Sequence, residues 1–158
     1  MDTQNIIIRV ATPDDKKYAE TITDEMESSA KARGTGIAKR SPEYLAQKID
    51  EGKAVIAVTN EGEWVGFCYI ETWQGKNYVA NSGLIVKESF RHGGLARRIK
   101  KFVFDYTRKK FPNAKIFGIT TSLAVMKMNS LTGPKIGKRR QRLNRKRNKS
   151  LRNAVNLL

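Results

Sequence analysis

Arg91-His92-Gly93-Gly94-Leu95-Ala96 is the stretch whose residue types and spacing could do chemistry. It follows the apolar run NSGLIVKESF and opens the patterned segment LARRIKKFVFDYTRKK. A strand, two glycines and a helix start in that order suit a phosphate-bearing ligand. The first N–H groups of a helix lack intrahelical acceptors, the helix dipole favours negative charge there, and glycine lets a ligand approach the backbone. Arg91 stands at the mouth of the stretch. The competing reading is a turn that uses glycine only to change direction. Other chemistries are narrowed by counting. Cys68 is the sole cysteine and His92 the sole histidine. That excludes an intramolecular disulfide and argues against a Cys/His zinc site or a Cys–His nucleophilic pair within one chain.

The elements that must position this stretch are readable from periodicity. IIIRVA (6–11) predicts a strand. Thr12 then predicts a helix cap, with Pro13 in the first turn and Asp14 and Asp15 favouring its positive end. Tyr18, Ile22 and Met26 recur at helical spacing. Ser41-Pro42-Glu43 starts a second helix that carries Tyr44, Leu45 and Ile49 and ends near Gly52. AVIAVT, WVGFCYIET and YVANSGLIV are β-rich runs joined by short turns. Leu95, Ile99, Phe102, Val103 and Tyr106 then line one face of a helix, with Arg97, Arg98, Lys101 and Arg108 outside it. KIFGITT predicts the next strand and SLAVMKMN a short helix. The order β-α-α-β-β-β-α-β-α predicts an α/β (α+β) fold with a mixed, mostly antiparallel central sheet flanked by helices.

The chain has 158 residues and a formal net charge of +16. Of its 31 Lys/Arg, ten follow Ser130 in a segment without Asp or Glu, leaving 21 basic and all 15 acidic residues in positions 1–130. The excess charge belongs mainly to the last 28 residues. Positions 1–130 therefore read as one domain, and 131–158 as a basic tail, disordered or frayed-helical. No apolar run approaches the roughly 20 residues needed to cross a bilayer, and the N-terminus does not read as a signal peptide, so a cytoplasmic protein is expected.

LIVKESFRHGGLARRI resembles the acetyl-CoA-binding motif of the GNAT N-acetyltransferases: an apolar strand, a short linker, then R/Q-x-x-G-x-G/A opening a helix. Arg91, Gly94 and Ala96 fall on the motif positions. The element order is also that of the family, so the resemblance covers residues 5–130. RGTGIAKR, GFCYIE, YVANSGLIV and AVMKMN are similar to a bacterial subgroup associated with arginine-biosynthesis genes. That company implies an amino acid, such as glutamate, as the amine acceptor.

The resemblance implies that the backbone of His92, Gly93, Gly94, Leu95 and Ala96 holds the pyrophosphate of acetyl-CoA, with Arg91 and Arg97 beside it. Leu84, Ile85 and Val86 would pair with the pantetheine arm, and an N–H there would polarise the thioester carbonyl. Direct attack by a neutral amine needs a base or water path, for which Glu71 is the leading residue, against the alternative of a solvated strand-end carboxylate. Asn81 and Ser82 either orient the acceptor or are polar residues of the exposed sheet face. Arg33 and Arg40 flank the segment that shapes the acceptor pocket, where cations suit a carboxylate. No metal is implied. A homodimer is a further expectation.

Two departures from the family stand out. The position where its members commonly carry a tyrosine as acid for the departing thiolate is Met128. After Ser130 the family continues with further strands, whereas this chain runs into LTGPKIGKRRQRLNRKR, a change that looks like a reading-frame shift or truncation. The expectation is a sheet lacking its last strands and an open edge at KIFGITT. Two alternatives follow: a CoA-binding domain impaired in catalysis, or a protein that contacts nucleic acid through its tail, nonspecifically and with strong salt dependence.

Overall fold

Alternating apolar residues and short turns build one sheet whose strands lie side by side in chain order. A computed structural model describes residues 5–34, 40–120 and 154–157. Strand β1 (Ile6–Val10) pairs antiparallel with β2 (Ala54–Thr59), which pairs antiparallel with β3 (Trp64–Trp73). β3 pairs antiparallel with β4 (Tyr78–Val86), and β4 runs parallel to β5 (Lys115–Thr120). The expected mixed, mostly antiparallel sheet is what the chain forms.

Helices cover both faces. α1 (Ala19–Ala32) and α2 (Pro42–Asp50) lie on one side, where Ile22, Met26, Leu45 and Ile49 pack on Ile56, Phe67, Tyr69 and Ile85. α3 (Leu95–Lys110) lies on the other, where Leu95, Ile99 and Val103 pack on Val55, Cys68, Ile70, Val79 and Val86. The Ser41 hydroxyl accepts the Tyr44 N–H at 3.1 Å, so α2 begins where the Ser-Pro-Glu signal places it. The helix expected after Thr12 is divided: Pro13–Tyr18 form a 3-10 helix that leads into α1. Tightened turns of this kind are frequent at helix N-termini. Asp15 anchors this one, accepting from Arg9 at 2.6 Å and from the Thr12 N–H at 2.7 Å. Burial pushes the Asp15 carboxyl up, but the hydrogen bonds from Arg9 and Thr12 outweigh it and hold the group below the usual carboxylate range.

Two further expectations are corrected. The buried face of α3 is centred on Leu95, Ile99, Lys100, Val103 and Thr107, with Phe102 and Tyr106 only partly covered. Lys100 is a charged residue inside that face. The edge of β5 is not open either: β6 (Ala154–Leu157) pairs with it antiparallel, Phe117 opposite Leu157 and Thr120 opposite Ala154. The last four described residues are thus extended and part of the sheet. The helix expected at 122–129, including Met128, and the remainder of the basic tail lie outside the described residues. No described helix is long and apolar enough to cross a membrane.

Two glycines set how closely the layers approach. A Cβ on Gly66 would stand 2.4 Å from Ile99 Cδ1, so glycine here lets α3 settle onto β3. Gly83 has φ +64, and a Cβ on it would stand 2.2 Å from Cε1 of the Tyr69 ring. The register explains that backbone: Phe67 faces Ile85 and Tyr69 faces Ser82, so Gly83 and Leu84 together oppose Cys68 and β4 carries a bulge. Gly83→Ala is expected to destabilise the protein by about 2–4 kcal/mol, combining overpacking with a strained φ. Gly94→Ala, at φ +80 but facing open space, is expected to cost about 1–2 kcal/mol. Urea unfolding of both variants beside the parent checks the contrast; equal losses would refute the packing account of Gly83.

Candidate active site

Backbone polar groups in a sheet need partners on both sides of a strand. β4 has them on the β3 side along its length, from Tyr78–Trp73 to Val86–Gly66, interrupted at the bulge. On the β5 side pairing covers only Tyr78, Val79 and Ala80. From Asn81 onward β4 and β5 part, and among the described residues no strand occupies the gap. The bulge lies within this unpaired stretch, at Gly83 and Leu84. Leu84 packs towards α3 and Ile85 towards α1 and α2, so the stretch is fixed from both faces while one edge stays open.

Beyond Val86 the chain turns through a 3-10 helix (Glu88–Phe90) into Arg91–Gly94 and enters α3. His92 and Gly94 both have left-handed backbone conformations, φ +68 and +80. The first helical bond of α3 runs from the Arg98 N–H to the Gly94 carbonyl at 3.2 Å. Among the described residues, the N–H groups of His92 through Arg97 have no acceptor. They border a cavity of about 370 Å³ lined by Val86, Phe90, Gly94, Leu95, Ala96 and Arg97. Six donors at a helix start, beside an open hollow, make a cradle for an anion.

Arg91 is at the cavity but serves as a tie. Its Nε donates to the Val86 carbonyl at 2.9 Å, and one terminal nitrogen donates to Glu25 Oε1 at 2.6 Å and Ser29 Oγ at 2.5 Å. It fastens the loop to α1 and to the end of β4. Arg97 is exposed at the rim and His92 exposed in the loop.

The opposite side of β4 faces α2 and holds a polar cluster. Tyr69 and Glu71 are two residues apart on β3 and share that face. The Tyr44 hydroxyl donates to Glu71 Oε1, and Lys48 Nζ lies 3.1 Å from Oε2. Arg40 Nε donates to the Tyr69 hydroxyl, and the rings of Tyr44 and Tyr69 meet edge to face at 5.9 Å. Burial pushes the Glu71 carboxyl up, opposed by the charge of Arg40. Burial also lowers Lys48. A half-buried carboxylate raised towards neutral pH is suited to take a proton.

Of the residues singled out from sequence, the structure brings Glu71 and Arg40 into one cluster and gathers His92 and Gly94–Arg97 around one hollow. Ser82 faces Tyr69 across the strands, on the side of the cluster. Asn81 does not join it: its side chain points towards α3, where Nδ2 donates to Thr107 Oγ1 at 2.8 Å. Strand alternation sets neighbours on opposite faces, so Asn81 and Ser82 could not share one role. Arg33 is exposed at the end of α1. Tyr44, Lys48 and Tyr69 were not singled out. The spacing of Tyr44 and Lys48 by four on α2, and of Tyr69 and Glu71 by two on β3, is the signal that could have found them.

A model of the GNAT acetyltransferase family matches residues 19–127, more than half of the chain. The chain belongs to the GNAT acetyltransferase family. A sequence search of curated proteins finds no match. Among solved structures, similarity extends to N-acetylglutamate synthase from Neisseria gonorrhoeae complexed with coenzyme A and N-acetyl-glutamate, at 18% identity and TM-score 0.66. That alignment covers 99% of this chain and 36% of the synthase, so the chain spans about a third of that relative. A GNAT-family acetyltransferase from Listeria monocytogenes aligns at 13% identity and TM-score 0.68, covering 96% of this chain and 92% of the other. The protein yncA from Salmonella typhimurium, solved with acetyl-CoA, aligns at 18% identity and TM-score 0.64, with 82% and 79% covered. This GNAT chain thus shares the fold of these structures.

The Glu71 carboxyl is expected to titrate above the ordinary glutamate value of about 4.3. Arg40→Met should move it higher still, because the charge of Arg40 opposes the effect of burial. Carbon-13 NMR titration of the carboxyls, with Glu71→Gln to assign the signal, measures both. A midpoint at or below the ordinary value would refute the reading of Glu71 as a buried base.

Proposed function

We propose that this chain transfers the acetyl group of acetyl-CoA to the amine of a small, carboxylate-bearing acceptor, by direct attack. The observation that carries the reading is the six N–H groups of His92–Arg97, without acceptors among the described residues, beside a hollow that Val86 at the end of β4 also lines. The cradle residues His92, Gly93, Gly94, Leu95 and Ala96 would hold the pyrophosphate, with Arg97 at the rim. The open backbone around Leu84, Ile85 and Val86 would pair with the pantetheine amides. When bound, acetyl-CoA supplies the acetyl group as a thioester whose carbonyl is open to attack.

The chain's own residues do the rest. An N–H at the bulge polarises the carbonyl as negative charge develops on its oxygen. Glu71 takes the proton of the attacking amine, directly or through one water, and the Tyr44 hydroxyl and Lys48 ammonium hold its carboxylate in place. Arg40 and Lys48 set two cations on this face, chemistry that suits a carboxylate on the acceptor, with glutamate as the first substrate to test. Fixing both reactants supplies much of the rate. Contact of the basic tail with nucleic acid is a separate proposal, and its mark would be steep loss of binding with salt.

Calorimetric titration of acetyl-CoA into the parent and into Gly94→Glu tests the donor site. The parent is expected to bind and the folded variant to lose binding, because a carboxylate would occupy the anion cradle. A folded parent that does not bind would refute the reading. For the acceptor, Arg40→Met is expected to raise KM for glutamate by about tenfold, the loss of one charge-assisted contact. Steady-state kinetics with glutamate and with an amine lacking the carboxylate check this; equal effects on both would remove Arg40 from acceptor recognition.

A further inference from the structure

The sheet face that carries Glu71 continues past it as an aromatic surface with no role in the transfer so far. Tyr69, Glu71 and Trp73 alternate along β3, so the pleat points all three to the α2 side. The register adds their neighbours: Trp73 stands opposite Tyr78, Glu71 opposite Ala80, and Ala80 opposite Phe117 on β5. The rings of Trp73 and Phe117 stack across β4, with centroids 5.5 Å apart and planes inclined by 22°. Lys115 Nζ stands at the rim, 5.9 Å from the centre of the Tyr78 ring. Trp73 is 42% exposed and Tyr78 37%, and the other large apolar side chain exposed among the described residues, Ile7, lies on the far strand β1.

A lone exposed apolar residue needs no explanation, but paired exposed rings bordered by charged groups mark a recognition surface. Its neighbours indicate what it recognises. Arg40 sits at Tyr69, Glu71 follows, and Trp73 lies beyond, so a cation, a base and an aromatic wall succeed one another along β3. Side chains two apart on a strand are separated by about 7 Å. An aromatic amino acid carries its groups in the same order, with a carboxylate on one side of its amine-bearing carbon and a ring on the other. An amine held by Glu71 therefore sets the carboxylate towards Arg40 and the ring beside Trp73. A glutamate side chain in the same pose would lay its second carboxylate on the negative face of an indole.

We propose that the acceptor is an amino acid with an aromatic side chain, its ring seated against Trp73 and Tyr78, an assignment that rests on the acetyl-transfer reading above and narrows its substrate. The acceptor nitrogen bonds to the acetyl carbonyl carbon, and the C–S bond breaks with its electron pair passing to sulfur. Glu71 takes the surplus proton of the nitrogen, and the thiolate takes a proton from water. The Trp73–Phe117 stack holds the indole against β5, so one of its faces is already fixed when the ring arrives. A fixed wall costs little entropy to use, and offset or edge-on contact between rings adds to the gain from covering them. A second copy of the chain placed on this surface would also cover the rings, but it would leave the adjoining Arg40 and Glu71 without a part.

The test follows CoA release from acetyl-CoA with L-phenylalanine, L-alanine and L-glutamate, in the parent, Trp73→Ala and Trp73→Phe, with sedimentation of each protein. In the parent, kcat/KM for phenylalanine should exceed that for alanine by about thirtyfold, and that for glutamate by at least as much. The ratio of phenylalanine to alanine should fall about tenfold in Trp73→Ala and largely survive in Trp73→Phe, which keeps a ring. A parent that uses phenylalanine no better than alanine or glutamate would overturn the assignment and leave the transfer reading standing. A ratio that Trp73→Ala leaves unchanged would do the same. Conversion of a dimer to a monomer by Trp73→Ala, with no preference for phenylalanine in the parent, would give the rings to a second copy and overturn it too. Failure of the parent to release CoA with any of the three amines would overturn both readings. Should Trp73→Ala not fold, the ratio in the parent and its fall in Tyr78→Ser decide.

Discussion

The molecule is organised around a strand that is paired along one side, apart from a bulge, and released on the other. A backbone that leaves its neighbour must find other partners for its N–H and C=O groups. β4 meets that requirement in part from within. The Ser82 carbonyl takes the Cys68 thiol, and the Val86 carbonyl takes Arg91 Nε. The remaining groups on the open edge from Asn81 are a template for an extended ligand with amides of its own. The open edge of β4 and the start of α3 are thus two stretches with main-chain groups unpaired among the described residues, joined by a turn in which the Lys87, Phe90 and Arg91 N–H groups are bonded.

Around this strand the two faces divide the chemistry. The α2 face gathers Tyr44, Lys48, Tyr69, Glu71 and Arg40 into a hydrogen-bonded, partly solvated cluster. The α3 face is drier. There burial pushes the Cys68 thiol up to about 11, slightly offset by the charge of Lys100. One strand therefore separates a wet carboxylate from a dry ammonium, and the pleat alone decides which side chain meets which environment.

The sequence was informative where periodicity and turn chemistry act locally. Ser41-Pro42 marked the start of α2, Gly93-Gly94 the join to α3, and the alternating runs marked β2 to β4. Less was legible where a residue's partner is distant in the chain. Lys100 reads as one more charge on a basic helix because nothing local reveals that α3 turns this position onto the sheet. Asn81 reads as part of a polar pair with Ser82 until the pleat sends them to opposite faces. Arg91 looks like a ligand contact because Glu25 and Ser29, its partners, lie more than 60 residues away. The pairing of β5 with Ala154–Leu157 was similarly hidden, since four mixed residues carry little strand signal beside a basic segment.

The tie made by Arg91 bears on the order in which the chain takes shape. The cradle's local sequence favours a turn but does not by itself select alternating left-handed conformations at His92 and Gly94. The long-range bridge to Glu25 and Ser29 forms only once α1 has docked on the sheet. Closing so large a loop carries an entropy cost that local contacts do not offset. The anion cradle is therefore a late-folding feature, and a ligand seated in it reports on the docking of a helix on the other side of the sheet.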